Sequence, residues 1–229
     1  MSDARYDPRE IYRSIFGEKM RGHGQKWPRI DLAELRAVNP ETVGWIYMPL
    51  SPISYPVVKE RRDPRYYLTH NFSGEPSIHG AICMDFRHGG VMPPYCAFFH
   101  GHHMKDWSMF MSIVELANPP FLAEHPSIFL FLDGRYFEAR IFAGVCYWAH
   151  EGGKLAERAE FRDRADFAGW LAEIQEQSVI DAGVPVTPED RVAAFCTCAY
   201  PREKTFDQFA AYGVLRETAP EGTVRGKQA

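Results

Sequence analysis

A chain of 229 residues, 45% hydrophobic and 24% charged, is long enough for one substantial core and has an ordinary globular composition. The net charge of -4 gives no electrostatic reason to expect a nucleic-acid partner, and the short basic run Lys59–Arg62 ends at Asp63 and reads as a solvated turn. Five cysteines, an odd number in a chain of this size, argue against a disulfide-stapled scaffold, and no stretch reaches the ~20 apolar residues that span a bilayer.

Residues 1–30 are polar and punctuated by Gly and Pro, with one helical turn expected at "REIYRSIF" and no apolar core of a signal peptide in "MSDARYDPREIYRSIF". "DLAELRAVN" predicts a short helix, with Asp31 as its cap and Leu32, Leu35 and Val38 on one face. A strand is expected over Val43–Met48. "ISYPVVK" follows as a second strand whose Pro56 argues for an edge or a kink. "HGAICMDF", "YCAFFHG", "PSIFLFLDG" and "RYFEARIFAGVCYWA" continue the series of strands, and Asp133-Gly134 between the last two predicts a hairpin turn. Within "KDWSMFMSIVELAN", Phe110, Ile113, Val114 and Ala117 recur at helical spacing. A longer helix is expected from about Ala159 to Gln177, where Phe167, Trp170, Leu171 and Ile174 line one face. "VPVTPEDRVAAFCTC" leads back into a strand, and the tail "ETAPEGTVRGKQA" is polar and expected to be disordered. One β-rich domain with helices in its connections accounts for this order.

Two segments carry the chemistry. "CAFFHGHHMKDWSMF" clusters His100, His102 and His103 at the end of an apolar run, and "AAFCTC" ends in Cys196 and Cys198. On an extended strand the two thiols share a face about 6.5 Å apart, too far for ordinary disulfide geometry, and their spacing does not match zinc or redox Cys-x-x-Cys patterns. Three readings stay open on the residues alone. One is a pair of buried thiols beside an interfacial histidine cluster. Another is a metal site of His100 or His102 with Cys196 and Cys198. The third is a Cys-His pair for acyl transfer.

The ordered motifs resemble class B sortases, cysteine transpeptidases of bacterial surfaces. "NPETVGWIYMP" resembles the family's N-terminal strand entry, and "YPVV" with "YYLTHNF" resembles its next strand and loop. "HGHHMKDWSMF" is similar to the family's "YGHNMKDGSMF", and "TPEDRVAAFCTC" to a strand ending in "TLSTC". The resemblance implies a mostly β fold: a closed sortase-like barrel of about eight strands with N-terminal helices and a long helix inserted late in the chain. It divides the chain into an N-terminal extension (1–30), a catalytic domain (31–216) and a disordered tail (217–229). It places the nucleophile on Cys198 and the catalytic histidine on His102. The family's catalytic arginine aligns with Gln208, a neutral residue, so Arg202 is the expected substitute charge, with Lys204 and Arg140 as further cations. Thr197, Cys196 and Trp107 are expected to border the substrate, Trp107 standing where the family has a small residue. Asp85 and Asp106 are candidates to orient a histidine, while His70 and Asn71 are expected to support a loop.

The activity so implied is cleavage of a C-terminal sorting motif through a Cys198 thioester. The acyl group then passes to an amine of peptidoglycan precursor or another protein. No cofactor, metal or nucleic acid is expected, and the chain is expected to act as a monomer. Placement at the extracytoplasmic face would require an anchor not seen in this sequence. The alternatives are a catalytically impaired peptide-binding barrel and a Cys/His metal-binding protein.

Overall fold

The computed structural model describes residues 30–59, 66–87, 90–149, 155–198 and 206–219. Helix α1 (Leu32–Val38) starts where expected, because the Asp31 carboxylate accepts hydrogen bonds from the backbone N–H groups of Ala33 at 2.9 Å and Glu34 at 3.2 Å. None of its residues is buried, so the apolar face read from the sequence stays near the surface.

Eight strands follow. They are β1 (Thr42–Tyr47), β2 (Ser54–Val58), β3 (Ile82–Met84), β4 (Cys96–His100), β5 (Ser127–Leu132), β6 (Arg135–Tyr147), β7 (Arg191–Cys198) and β8 (Gln208–Thr218). They close into a barrel in the order β1-β2-β3-β4-β7-β8-β6-β5. Only β2/β3 and β4/β7 pair in parallel. Closure leaves no free sheet edge, so the ladder groups of one strand are met on both sides along most of the barrel. Pro56 sits in β2 opposite Trp45 of β1, while pairing of β2 to β3 begins only at Val57. The proline therefore occupies the stretch paired on one side, which is the edge character its missing N–H demands. At the β5–β6 hairpin both Asp133 (φ 49°) and Gly134 (φ 78°) are left-handed, as a two-residue type I′ turn requires.

The helices differ more from expectation. Between β2 and β3 lies the single turn α2 (Tyr66–Thr69). The helix expected across residues 105–118 shrinks to α3 (Met111–Val114) and a 3-10 turn (Glu115–Ala117), because the chain before Met111 is wound into a tight loop with left-handed Trp107 and Met109. A further helix, α4 (Pro119–Glu124), opens with its prolines at the first helical positions, where a missing N–H costs nothing. The late helix α5 (Arg164–Glu176) begins after Asp163, whose carboxylate accepts from the Asp166 N–H at 2.8 Å. Its four predicted core residues, Phe167, Trp170, Leu171 and Ile174, are all buried. β8 extends to Thr218, and the turn at "REIYRSIF" and most of the tail fall outside the described residues.

Two apolar layers result. Phe99, Phe110, Phe195 and Phe209 pack inside the barrel. Phe98, Ala194, Cys196 and Tyr212, alternating with them along β4, β7 and β8, pack under α5 with Phe167 and Trp170. Strands covered on both faces lose the polar alternation of a half-exposed sheet, hence the unbroken apolar run "VAAFC" in β7. Trp170 is 1% exposed and its indole N–H donates to the Leu155 carbonyl at 2.7 Å. Trp170→Ala is expected to cost about 3–5 kcal/mol by removing that bulk and orphaning the carbonyl, read as a lower midpoint in urea.

Candidate active site

β7 ends at Cys198, and in the antiparallel β7/β8 ladder Cys198 stands directly opposite Gln208, the first residue of β8. Both lie on the face that α5 covers farther along, but beyond its reach, so the Cys198 side chain is only half-buried. The Gln208 side-chain amide donates to the Cys198 sulfur at 3.5 Å. The parallel β4/β7 pairing sets His100 against Cys196, and the chain continues through Gly101 to His102 beside Cys198.

His102 is fixed from two directions. Its Nε2 lies 2.7 Å from the Leu68 carbonyl oxygen. A carbonyl only accepts, so Nε2 carries a hydrogen there and Nδ1 is the nitrogen left to exchange a proton. Its own carbonyl accepts from the Phe110 N–H at 2.8 Å, closing the loop behind it. In that loop the Asp106 carboxylate accepts from the Ser108 N–H and hydroxyl and pairs with His79 at 3.0 Å. Gly80, left-handed at φ 60°, borders the ring. An added Cβ there would lie 2.4 Å from the Tyr67 carbonyl and 3.2 Å from the His102 ring, so only glycine lets this segment approach.

The electrostatics match the geometry. The hydrogen bond to His102 lowers the Cys198 thiol below its ordinary range; burial opposes this, the Gln208 amide adds to it, and Asp207 works weakly against it. The same contact with Cys198 raises His102, against the effect of burial and with help from the Leu68 carbonyl. The two shifts converge, so the pair holds more thiolate than an isolated cysteine at the same pH. The rate of Cys198 alkylation by iodoacetamide is accordingly expected to reach half its maximum at a lower pH than for a free thiol. His102→Ala should move that midpoint upward, and an unmoved profile would show the imidazole has no hold on the sulfur.

Other residues singled out by sequence fall elsewhere. Cys196 is 2% exposed, and burial, with the nearby Glu157 carboxylate, pushes its thiol well up, which makes it a core thiol out of a substrate's reach. Thr197 points to the opposite face from Cys198 and its side chain is buried, so it can offer a substrate only its backbone. Trp107 is half-buried at φ 68°, the backbone region that favours glycine, which explains why a small residue would suit this position. Arg140 is excluded as a source of charge. It pairs with Val214, and the run along β6 from Arg140 to Tyr147, the residue paired with Gln208, covers about 23 Å at ~3.3 Å per residue. Arg202 and Lys204 lie outside the described residues.

Asp85 and Asp106 both hold histidines, but not His102. Asp106 pairs with His79, and Asp85 lies 3.2 Å from His100 and 2.6 Å from Arg87. Burial works against the Asp85 charge, and the hydrogen bonds from His100 and Arg87 overcome it, holding the carboxyl well below its usual range. His70 stacks on Tyr66 and Asn71 caps the following turn, both loop supports as expected. Reading the sequence missed Leu68, whose contribution is a backbone carbonyl that any residue supplies, and Glu157. The Glu157 carboxylate lies with His100 and Cys196 in a cluster whose ligand atoms are all within 4.8 Å of one another.

An eight-stranded mixed barrel that brings a half-buried cysteine and a histidine together at its strand ends defines a sortase-like protein. The chain is 31% identical over 170 residues to sortase B of Listeria monocytogenes, spanning 74% of this chain and 68% of that protein. It is 28% identical over 174 residues to sortase B of Staphylococcus aureus, covering 76% of this chain and 70% of the relative. The solved Listeria monocytogenes sortase B superposes with a TM-score of 0.70 at 28% identity, over 80% of this chain and 99% of that one. A Staphylococcus aureus sortase B–substrate complex shares the fold, with a TM-score of 0.74 at 22% identity over 92% of this chain and 94% of that chain. No family model matches the chain. The chain belongs to the sortase B family, a family of cysteine transpeptidases.

Proposed function

We propose that this protein cleaves a C-terminal sorting motif of a surface protein and transfers the new acyl group to an amine, with Cys198 as nucleophile. The observation that carries this reading is the placement of the His102 imidazole beside the Cys198 thiol, where each shifts the other toward its charged form, with the Gln208 amide donating to the same sulfur at 3.5 Å.

In the first transfer the Cys198 sulfur attacks the carbonyl of a Thr-like residue. The negative charge that develops on the carbonyl oxygen needs a donor, and Gln208, at the position we assign to the family's arginine, is the neutral group within reach. His102, protonated when the thiol ionises, gives its proton to the departing amine, and a thioester remains. In the second transfer an incoming amine, from peptidoglycan precursor or another protein, yields its proton to His102 as it attacks. The tetrahedral species collapses and returns the Cys198 thiol. Water entering in place of the amine gives slow hydrolysis.

Trp107 and the backbone of Thr197 border the path of the motif in this reading, and Arg202 is the cation best placed by sequence to assist. The site would work at the outer face of a bacterial membrane, on a monomer. Among the described residues no helix is long and apolar enough to cross a bilayer. The test is incubation with a library of sorting-motif peptides and a triglycine-type amine, followed by mass spectrometry of ligated product.

A second reading rests on the neutral Gln208. Without a cation at the developing oxyanion, the groove would bind sorting peptides and turn them over too slowly to matter. Peptide binding by the intact protein without ligated or hydrolysed product would select it.

A further inference from the structure

His100, Cys196 and Glu157 serve no step of the acyl transfer, yet their ligand atoms converge within 4.8 Å. We propose that they form a site for a divalent ion of the zinc class, separate from the catalytic pair and independent of whether the protein is an active transpeptidase.

The donor set comes first. One imidazole, one thiolate and one carboxylate are the borderline ligands that zinc takes at about 2.0–2.3 Å. Ligands around a tetrahedral ion at those lengths stand roughly 3.4–3.8 Å apart, so about 1 Å of closure completes the arrangement. The backbone already provides the frame. His100 and Cys196 are register partners on the parallel strands β4 and β7, and Glu157 approaches from the turn before α5.

Each outer ligand is also oriented by a neighbour. The Nε2 of His100 lies 3.2 Å from the Asp85 carboxylate, which accepts its hydrogen and leaves Nδ1 with a free lone pair. Carboxylate–histidine–metal arrangements of this kind fix the tautomer of a ligating imidazole. The Tyr147 hydroxyl donates to Glu157 Oε1 at 2.5 Å and leaves the other carboxylate oxygen free to bind.

Charge points the same way. Among the described residues, Asp85, Glu157 and an ionised Cys196 face the cation Arg87, which is bound to Asp85 at 2.6 Å, so a divalent ion brings these groups to balance. Binding takes up the ion and releases the Cys196 proton to solvent. A cavity of about 420 Å³ lined by His100, Glu157, Asp85, Arg87 and Leu68 opens beside the cluster. It supplies an entry path and room for a water as fourth ligand. An ion held here ties β4 to β7 one pleat repeat before His102 and Cys198, the residues those strands carry into the active site.

The experiment uses the full chain, stripped with a chelator and titrated with zinc chloride in equilibrium dialysis, and in parallel with cobalt(II) followed by absorption. One ion per chain, a thiolate-to-cobalt charge-transfer band and a raised Tm with zinc are expected. Cys196→Ser should remove the band, and Glu157→Gln, on a half-buried turn, should weaken binding roughly tenfold or more while the band remains. Cys198→Ala should leave stoichiometry and band intact. Binding of less than one ion per chain overturns the proposal. So does a band that survives Cys196→Ser but vanishes in Cys198→Ala, because the ion would then sit on the catalytic pair. Should Cys196→Ser fail to fold, unaltered zinc affinity in Glu157→Gln overturns it by itself.

Discussion

Cys198→Ala is expected to abolish both ligated and hydrolysed product from sorting-motif peptides, and to leave the barrel folded. Among the described residues at the site, the thiol is the only group able to hold the acyl fragment between the two transfers. It lies at a strand end, half-buried, and its loss opens no large cavity. His102→Ala should lower the rate by about 10²–10⁴-fold, the usual worth of a positioned acid–base group. The two losses should not multiply in the double variant, because the imidazole works only through the sulfur and the amines around it. Thioester trapping separates their roles. Hydroxylamine should release acyl-hydroxamate from wild type, release it slowly from His102→Ala and release none from Cys198→Ala. Product from Cys198→Ala at the wild-type rate would remove the proposed chemistry.

Gln208→Arg is expected to raise the rate by roughly a hundredfold, a direction few active-site substitutions take. Gln208 faces Cys198 across the β7/β8 ladder, with its amide nitrogen 3.5 Å from the sulfur. A carbonyl attacked by that sulfur brings its oxygen near the same side chain. A neutral amide offers that oxygen one dipole, whereas a guanidinium offers full charge and a fork of donors. One well-placed oxyanion donor is worth about 3 kcal/mol, or about a hundredfold. The gain should appear in kcat more than in KM, because the charge it meets exists mainly in the transition state. A second consequence follows from the same placement. The added cation stands beside Cys198, so the thiol should alkylate at still lower pH in Gln208→Arg than in wild type. If activity is unchanged or lost while the alkylation profile shifts, the arginine has reached the sulfur but not the oxyanion. Gln208 would then already supply what this site uses.

Much of this molecule could be read from its residues. The Asp31 cap, the Asp133-Gly134 turn and the buried face of α5 are local matters of dihedral preference and periodicity, and each stands where the sequence placed it. The ordered motifs resemble those of class B sortases, and that resemblance implied the closed barrel and nominated Cys198 and His102. Reading failed where a residue's role depends on what lies across the barrel. The segment before Met111 has helical spacing, but the Phe110 N–H is taken by His102 and the Met109 N–H by the Tyr55 hydroxyl, contacts that hold a loop in place of a helix. Asp85 and Asp106 were fair candidates to hold His102, yet they hold His100 and His79, and a backbone carbonyl from Leu68 holds the His102 ring.

Composition and periodicity by themselves therefore determined a β-rich domain with helices in its connections, and the resemblance of the ordered motifs added the closed barrel and nominated a thiol and an imidazole as the reactive groups. Only the tertiary structure decided which neighbours tune them. It took the Leu68 carbonyl from a distant turn, set Gln208 on the sulfur, turned Thr197 inward and gathered Glu157 with His100 and Cys196. The physical reason is range. Dihedral preference and side-chain periodicity act over a few residues, whereas hydrogen bonds and charges act over a few ångströms, and barrel closure alone brings segments separated by tens of residues within that reach.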